Sequence, residues 1–176
     1  MMNQRIFTLV LSALFISLGF LNAQTDFNRT INPDFEKEID SYLNYSVPAI
    51  TVKNLIQIKE DVVLLDAREL REYEVSHIPG AKYVGFDDFE ESALLDIDKT
   101  KRIVVYCSIG YRSEKIGEKL KKLGFKNSYN LFGSIFEWVN SGQPLEDKEG
   151  KATNVIHTYN QKWSKWVTDG MAEKVW

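Results

Sequence analysis

Two short apolar runs, at residues 61–66 and 101–107, constrain the fold of this chain more than any other feature of its sequence. The runs read DVVLLD and KRIVVYC, and neither alternates between apolar and polar residues. A strand with one face in water alternates, whereas a strand buried on both faces is apolar throughout, as in a parallel sheet covered by helices. The two runs therefore predict an α/β fold with a central, mainly parallel sheet.

Helical patterns separate and flank these strands, as the connections between parallel strands require. Asp34 is positioned to cap a helix over 34–42, and residues 52–58 repeat apolar side chains at three-residue spacing. A third amphipathic pattern starts near Arg112 or Ser113 and stops at Gly124. A strand, a short loop and a helix form half of a βαβ unit, so we expect active residues at the carboxyl ends of the strands.

The first 23 residues have the parts of a secretory signal peptide. Arg5 is the only charge before Asp26, residues 6–21 are almost all apolar, and Ala23 is the small residue at the exit. The alternative is an uncleaved membrane anchor, because a run of this length approaches the lower limit for a span. We expect export to the periplasm or outside the cell, with no membrane contact after cleavage. The net charge of −3 does not indicate the basic surface that nucleic-acid binding requires, so no nucleic-acid partner is expected.

The chain has one cysteine, Cys107, at the end of the second predicted strand. A single thiol excludes an internal disulfide and a multi-thiolate metal site. In an oxidising compartment it is buried and inert, joined to another molecule, or kept for its reactivity. Its position favours reactivity, because the loop after it offers backbone N–H groups, a helix N-terminus and Arg112 to stabilise a thiolate. Gly110 supplies the tight turn in that loop.

Three groups of motifs follow one another along the chain. They are LLDAR at 64–68 with EY at 72–73 and HIPGA at 77–81; then CSIGYRS at 107–113; then LFG at 131–133, Trp138 and GQPL at 142–145. The central group resembles the active-site loop of rhodanese-type sulfurtransferases, C-x-x-G-x-R-[S/A], and the others resemble that family's D-x-R, H-I-P-G-A and closing segments. Ser76 and Ser134 depart from the family pattern, since each stands where glycine is usual.

The resemblance implies one rhodanese domain over residues 48–146, with a three-layer α/β/α fold. It also implies that Cys107 takes a sulfane sulfur from a donor such as thiosulfate. The resulting persulfide passes that sulfur to cyanide or a thiol, with no metal and no organic cofactor. Arg112 is the second catalytic residue by this resemblance. The remaining loop residues are expected to bind the substrate: Ser108, Ile109, Gly110, Tyr111 and Ser113.

Two other function classes stay open on the sequence. Phosphatases and arsenate reductases use a similar loop with the pattern C-x5-R, one residue longer than the spacing from Cys107 to Arg112. The shorter ring suits one sulfur atom better than a tetrahedral oxyanion. A non-catalytic module of the same fold would bind a partner protein or a sulfur species, but such modules typically lack the cysteine. The intact Cys107, Gly110 and Arg112 therefore favour the enzyme.

Five further side chains have a structural interpretation beside a functional one. Asp66 ends its strand and either fixes the loop, pairs with an arginine or takes part in catalysis. Arg68 either attracts an anionic donor or is a solvated member of an ion pair. We expect His77 to be a hydrogen-bonded structural histidine rather than a proton shuttle, and Trp138 to be a core residue. His157 is assigned no function, and two distant histidines without a cysteine pair do not suggest a metal site.

Two extensions flank the predicted domain. Residues 24–47 hold the helix that Asp34 caps and form an N-terminal extension that packs on the sheet. Residues 147–176 form an aromatic-rich C-terminal extension that contains Tyr159, Trp163, Trp166 and Trp176. These aromatic side chains either dock on the domain and cover apolar surface or form a patch for a partner protein.

Overall fold

A central sheet of five parallel strands organises the computed structural model, which describes residues 29–176. The strands are β1 (Ala49–Ile50), β2 (Val62–Asp66), β3 (Lys82–Tyr83), β4 (Arg102–Tyr106) and β5 (Ser128–Leu131). Their spatial order is β1-β5-β4-β2-β3, so the two apolar runs, now β2 and β4, are neighbours inside the sheet. They pair from Val62 opposite Arg102 to Asp66 opposite Tyr106. The residues that follow both strands therefore lie at the same edge of the sheet.

Helices cover both faces of this sheet. The α-helices in the described residues are α1 (Pro33–Asp40), α2 (Val52–Ile58), α3 (Leu70–Val75), α4 (Tyr111–Lys122) and α5 (Ser134–Asn140). Successive strand residues point to opposite faces. Leu64 accordingly belongs to a core with Phe35 and other residues of α1, α2 and α5. Its neighbour Leu65 belongs to a second core with Ile116 of α4. The predicted α/β class and its three layers are confirmed.

The cap of α1 is Asn32, so the prediction that Asp34 caps this helix was wrong. The Asn32 side chain accepts hydrogen bonds from the backbone N–H groups of Asp34 (2.9 Å) and Phe35 (3.3 Å). Pro33 takes the first helical position, where its fixed φ suits the helix and its missing N–H has no intrahelical partner to lose. The helix ends at Asp40 rather than at residue 42.

The other two predicted helices lie close to their expected positions. α2 spans Val52–Ile58 and is capped by Thr51, whose hydroxyl accepts from the N–H of Asn54. α4 begins at Tyr111, slightly earlier than the expected start, and ends before Gly124. Gly124 has a φ of +94°, which a side chain would disfavour, so the helix stops where the sequence predicts.

The two extensions pack on the domain beside each other. Four short strands order the C-terminal part: β6 (Leu145–Glu146) pairs antiparallel with β7 (Ala152–Thr153), and β8 (Val155–His157) pairs parallel with β9 (Glu173–Val175). Trp166 stacks on Phe35 of α1, with ring centroids 5.3 Å apart. Trp163 meets Tyr42 edge-on at 5.5 Å. Trp163 and Trp166 therefore dock on the domain, which is the first of the two predicted alternatives. Trp176, in contrast, is exposed.

The predicted signal peptide at residues 1–23 lies outside the described residues, so cleavage and export stay predictions. The division of the chain at residues 48 and 146 also stays a prediction. Within residues 29–176, none of the helices has the length and apolar character needed to cross a membrane.

Candidate active site

Cys107 lies directly after β4, at the edge of the sheet where the parallel strands end, and it is buried. Its backbone N–H donates to Oγ of Ser134 (3.1 Å), which itself donates to the carbonyl oxygen of Leu131 (3.0 Å). Ser134 has a φ of +50°, in the region that favours glycine. The departure from glycine at this position thus brings a hydroxyl that holds the backbone of the cysteine.

Gly110 turns the loop after Cys107 into α4. Its φ is +126°, a conformation that side chains rarely allow, so glycine is required at the turn. The backbone N–H of Gly110 donates to Sγ of Cys107 at 3.2 Å. On the other side, Oγ of Ser113 lies 3.5 Å from the same sulfur. The backbone N–H of Ser113 is a further donor, so the loop directs several hydrogen-bond donors at the thiol.

These surroundings hold the pKa of the Cys107 thiol below its ordinary value. Burial alone would raise the pKa, because it penalises the charged thiolate. The positive charge of Arg112 and the hydrogen bonds from Ser113 and Gly110 outweigh that penalty. Since the thiolate is the nucleophilic form of cysteine, the site favours attack by sulfur.

Ser113 is fixed by Asn130 of β5, a residue to which the sequence analysis gave no role. Oγ of Ser113 donates to Oδ1 of Asn130 (2.7 Å), and Nδ2 of Asn130 donates to the carbonyl oxygen of Gly110 (3.0 Å). Asn130 thus joins the loop to the neighbouring strand. The sequence did contain a signal for the role of Asn130, because a polar amide within a buried strand needs hydrogen-bond partners.

Arg112 binds a carboxylate rather than standing free in the loop. Its Nη1 and Nη2 donate to the two oxygens of Glu72 at 2.6 and 2.9 Å, and Nη2 also donates to Oγ of Ser108 at 2.9 Å. Glu69 lies 3.6 Å from Nη1. Burial raises the pKa of Glu72, but Arg112 and Arg68 outweigh it and lower that pKa. Glu72 belongs to a recognised motif, yet its partner lies 40 residues away in sequence.

Asp66 and Arg68 form a fully buried ion pair beside the loop. Nη2 of Arg68 lies 2.7 Å from Oδ2 of Asp66 and also donates to the carbonyl oxygen of Ser76 at 2.6 Å. Nε donates to both oxygens of Asp66 at 3.0 Å. The prediction of a solvated ion-pair member was wrong for Arg68, since its side chain has no exposed surface. The pair therefore has a structural role at the end of β2.

A cavity of about 450 Å³ opens onto Cys107. The loop and α4 contribute five of the predicted site residues to its wall: Cys107, Ser108, Ile109, Tyr111 and Arg112. Gly110 and Ser113 lie behind this surface and act through their hydrogen bonds. The rest of the wall comes from other parts of the chain: Tyr42, Glu69, Phe86, Asp87, Tyr159 and Trp163. None of these six was predicted as a site residue.

The histidines lie outside the cavity wall. His77 stacks on Tyr73 with ring centroids 3.9 Å apart, and its Nδ1 is 3.0 Å from the carbonyl oxygen of Tyr73, in keeping with a structural role. His157 is buried in β8, where burial lowers its pKa and Nδ1 accepts from the N–H of Tyr159. Trp138 is a core residue, as expected. No three His, Cys, Asp or Glu side chains are grouped as metal ligands within the described part of the chain.

Comparison with known proteins points to one family. The sequence pattern of the family described as "Rhodanese-like domain" matches residues 49–141. The putative sulfur carrier protein YrkF of Bacillus subtilis is 32% identical over 97 residues, 53% of this chain and 52% of that protein. A tRNA uridine(34) hydroxylase of Hamiltonella defensa is 39% identical over 88 residues, 47% of this chain and 25% of that protein.

A solved structure agrees with these sequence matches. The rhodanese-like domain protein from Staphylococcus aureus aligns with a TM-score of 0.51 and 28% identity, over 57% of this chain and 98% of that one. The chain thus spans about half of the length of YrkF and a quarter of that of the hydroxylase. The family match includes the whole cysteine loop but neither extension.

Proposed function

The chain belongs to the rhodanese-like domain family, and we propose that it is a sulfurtransferase that carries a sulfane sulfur on Cys107. One observation carries this proposal. Cys107 lines a cavity of about 450 Å³, and Arg112, Ser113 and Gly110 lower the pKa of its thiol. An inert core cysteine would have neither the access nor the donors.

The proposed reaction has two steps, each an attack on a divalent sulfur. With thiosulfate, the Cys107 thiolate attacks the outer sulfur, the sulfur–sulfur bond of thiosulfate breaks, and sulfite leaves with the electron pair. The enzyme then holds a persulfide anion, to which the N–H of Gly110 donates and to which the hydroxyl of Ser113 donates when it turns from Asn130 to the sulfur. Cyanide or a thiolate next attacks that terminal sulfur, and the Cys107 thiolate leaves.

The contacts of Arg112 favour sulfur transfer over phosphate or arsenate chemistry. A tetrahedral oxyanion is best held by an arginine whose two terminal nitrogens are free to bind it together. Both terminal nitrogens of Arg112 are bound to Glu72. The positive charge of the guanidinium therefore stabilises the thiolate, but its two terminal nitrogens are not free to bind an oxyanion together.

Intact-mass measurement tests the proposal. After incubation with thiosulfate and removal of the excess, the protein should gain ~32 Da, one sulfur atom, and lose it on addition of cyanide with release of thiocyanate. Cys107→Ser should show neither change, because the hydroxyl does not form a persulfide. Repeated turnover separates an enzyme from a binding module. A Cys107→Ser variant with parental thiocyanate formation, or a parent that accepts no sulfur from any sulfane donor, would contradict the proposal.

We also propose that the protein is exported, as its first 23 residues suggest. Cleavage after Ala23 should give a mature protein whose N-terminal residue is Gln24. Fractionation of a bacterial host that expresses the full sequence, followed by N-terminal sequencing, tests this. Protein recovered in the cytoplasm with residues 1–23 attached would refute it.

A further inference from the structure

Part of the wall around Cys107 comes from residues that the family pattern does not match. Tyr42 follows α1, and Tyr159 and Trp163 belong to the C-terminal extension, whereas the match covers residues 49–141. Trp163 meets the ring of Tyr42 edge-on at an interplanar angle of 62°. The ring of Tyr159 lies 5.3 Å from Cζ of Arg112. We call Tyr42, Tyr159 and Trp163 the aromatic wall.

The aromatic wall is held in place by the packing of both extensions. Trp163 packs on the main apolar core, and its backbone N–H donates to Oδ1 of Asn160 at 3.2 Å. Tyr159 has a φ of +66°, which few residues other than glycine adopt, and its N–H donates to Nδ1 of the buried His157. The two extensions thus present rings to the cavity from opposite ends of the chain.

The cavity is large for the small sulfur donor of the standard assay. Its volume of about 450 Å³ falls within the range of roughly 300–1,000 Å³ that is usual for organic ligands. A water molecule occupies about 30 Å³ in the liquid, and thiosulfate is only a few times larger. Thiosulfate would therefore fill only part of the cavity.

The charge of the cavity also disfavours a dianion. Arg112 is the only cation among the described residues that line it, and Glu72 offsets part of that charge through two hydrogen bonds. Glu69 and Asp87 line the cavity as well, and the attacking Cys107 thiolate adds a further negative charge. A donor with two negative charges meets net repulsion here, whereas an apolar body meets aromatic rings.

We propose that the natural sulfur donor or acceptor of this site is an organic persulfide or thiol with an apolar body of about the size of a phenyl group and at most one negative charge. The inference rests on the proposed sulfurtransferase function and names its substrate class. The apolar body packs on the aromatic wall while its sulfur reaches Cys107. Tyr42, Tyr159 and Trp163 then determine specificity.

The transfer is balanced without any additional reagent. In the donor direction, the Cys107 thiolate attacks the terminal sulfur of R–S–SH, the sulfur–sulfur bond breaks, and the thiolate R–S⁻ leaves with the electron pair. The proton stays with the transferred sulfur, so the enzyme holds Cys–S–SH. In the acceptor direction the same steps run in reverse, and a thiolate R–S⁻ takes the sulfur from the enzyme.

Two thiosulfonates of equal charge make a matched test, because they differ only in the group that would reach the aromatic wall. The probes are benzenethiosulfonate and methanethiosulfonate, each normalised to its own reaction with a free thiolate in solution. For the full protein, we expect kcat/KM to be at least roughly tenfold higher with the phenyl compound, given the apolar area that a ring buries. Thiosulfate should be the poorest of the three donors.

Variants at Tyr42 connect the preference to the aromatic wall. Tyr42 is 37% exposed, so its truncation is compatible with folding. Tyr42→Ala should reduce the phenyl-to-methyl ratio at least threefold, and Tyr42→Phe, which keeps the ring, should restore it. Trp176→Ala is the control, because Trp176 is an exposed aromatic residue of the C-terminal extension that lies outside the cavity wall. This control should keep the parental ratio.

The outcomes separate the two proposals. If no donor places a sulfur on Cys107, the sulfurtransferase proposal itself fails. If all three donors react but the normalised phenyl-to-methyl ratio is close to one, the inferred substrate class is wrong. A ratio that is high in the parent and equally high in Tyr42→Ala also overturns the assignment to the aromatic wall. The parent measurement alone decides the preference, so the inference does not depend on the folding of a variant.

Discussion

Replacing Ser113 with alanine removes the hydroxyl donor directed at the Cys107 sulfur and keeps the backbone N–H donors of Gly110 and Ser113. Oγ of Ser113 lies 3.5 Å from Sγ and 2.7 Å from Oδ1 of Asn130, and its single hydrogen is divided between these two acceptors. A hydrogen bond to a charged group contributes about 1.5–3 kcal/mol. Because the sulfur contact is long and the hydroxyl is shared, we expect the lower end of that range, which corresponds to roughly tenfold less thiolate.

The reaction with iodoacetamide measures this loss. The second-order rate constant, followed against pH, should fall about tenfold at pH values below the midpoint of the parent, because only the thiolate reacts. The midpoint of the profile should move toward higher pH. The plateau at high pH should stay close to that of the parent, since the fully ionised sulfur is equally accessible in both proteins.

Ser128→Ala separates this effect from a general loss of stability. Ser128 is also buried, and its Oγ donates to the carbonyl oxygen of Phe125 at 2.9 Å, far from the thiol in sequence. Each substitution leaves a buried acceptor without its donor, which costs about 1–3 kcal/mol of unfolding free energy. We expect both variants to unfold at lower denaturant concentration, and only Ser113→Ala to change the alkylation profile. If the profile of Ser113→Ala coincides with that of the parent, Ser113 supports the loop without stabilising the thiolate.

Three further predictions concern the ion pair, the pH dependence of stability and the length of the loop. Arg68→Met should lower the unfolding free energy by about 3–5 kcal/mol, because it leaves Asp66 buried without a counter-charge. The exposed Arg102→Met should change it by less than about 0.5 kcal/mol, and an equal loss in both would refute the reasoning. Burial raises the pKa of Glu137 from 4.5 to about 7, so the folded protein retains a proton that the unfolded chain releases. The free energy of unfolding should therefore fall as the pH rises between these values, and Glu137→Gln should weaken that dependence in denaturant titrations at pH 5 and 8. One glycine inserted after Gly110 should reduce thiocyanate formation, because it moves the N–H of Gly110 and the hydroxyl of Ser113 away from the sulfur; parental turnover would contradict this.

The strands and the cysteine loop could be predicted because their signals are local. The runs at 61–66 and 101–107 are apolar throughout, and β2 and β4 formed within one residue of their ends. The cap of α1 could also have been predicted from the sequence. Asn32 precedes Pro33, and proline at the first helical position marks the cap two residues earlier than the acid Asp34 suggests.

The charged pairs of the site depend on folding and were harder to predict. Arg68 is buried with Asp66 and the carbonyl oxygen of Ser76 as partners of its Nε and Nη2, while its Nη1 has no hydrogen-bond partner, whereas an isolated arginine in a sequence is expected to be exposed. Arg112 and Glu72 meet only after α3 and α4 have packed beside each other. The motif at 107–113 identified a cation next to the thiol, but it carried no information about the carboxylate that neutralises it.

The aromatic wall is the part of the candidate site that could not be predicted from the sequence. Tyr42, Tyr159 and Trp163 have no regular spacing and lie far apart in sequence, so the choice between covering apolar surface and binding a partner stayed open for Tyr159 and Trp163. The structure shows that Trp163 belongs to both the core and the cavity, because one part packs inward while another borders the opening. In the proposed function, chemistry and specificity therefore come from different parts of the chain. The family loop would supply the sulfur nucleophile, and the extensions would shape what can reach it.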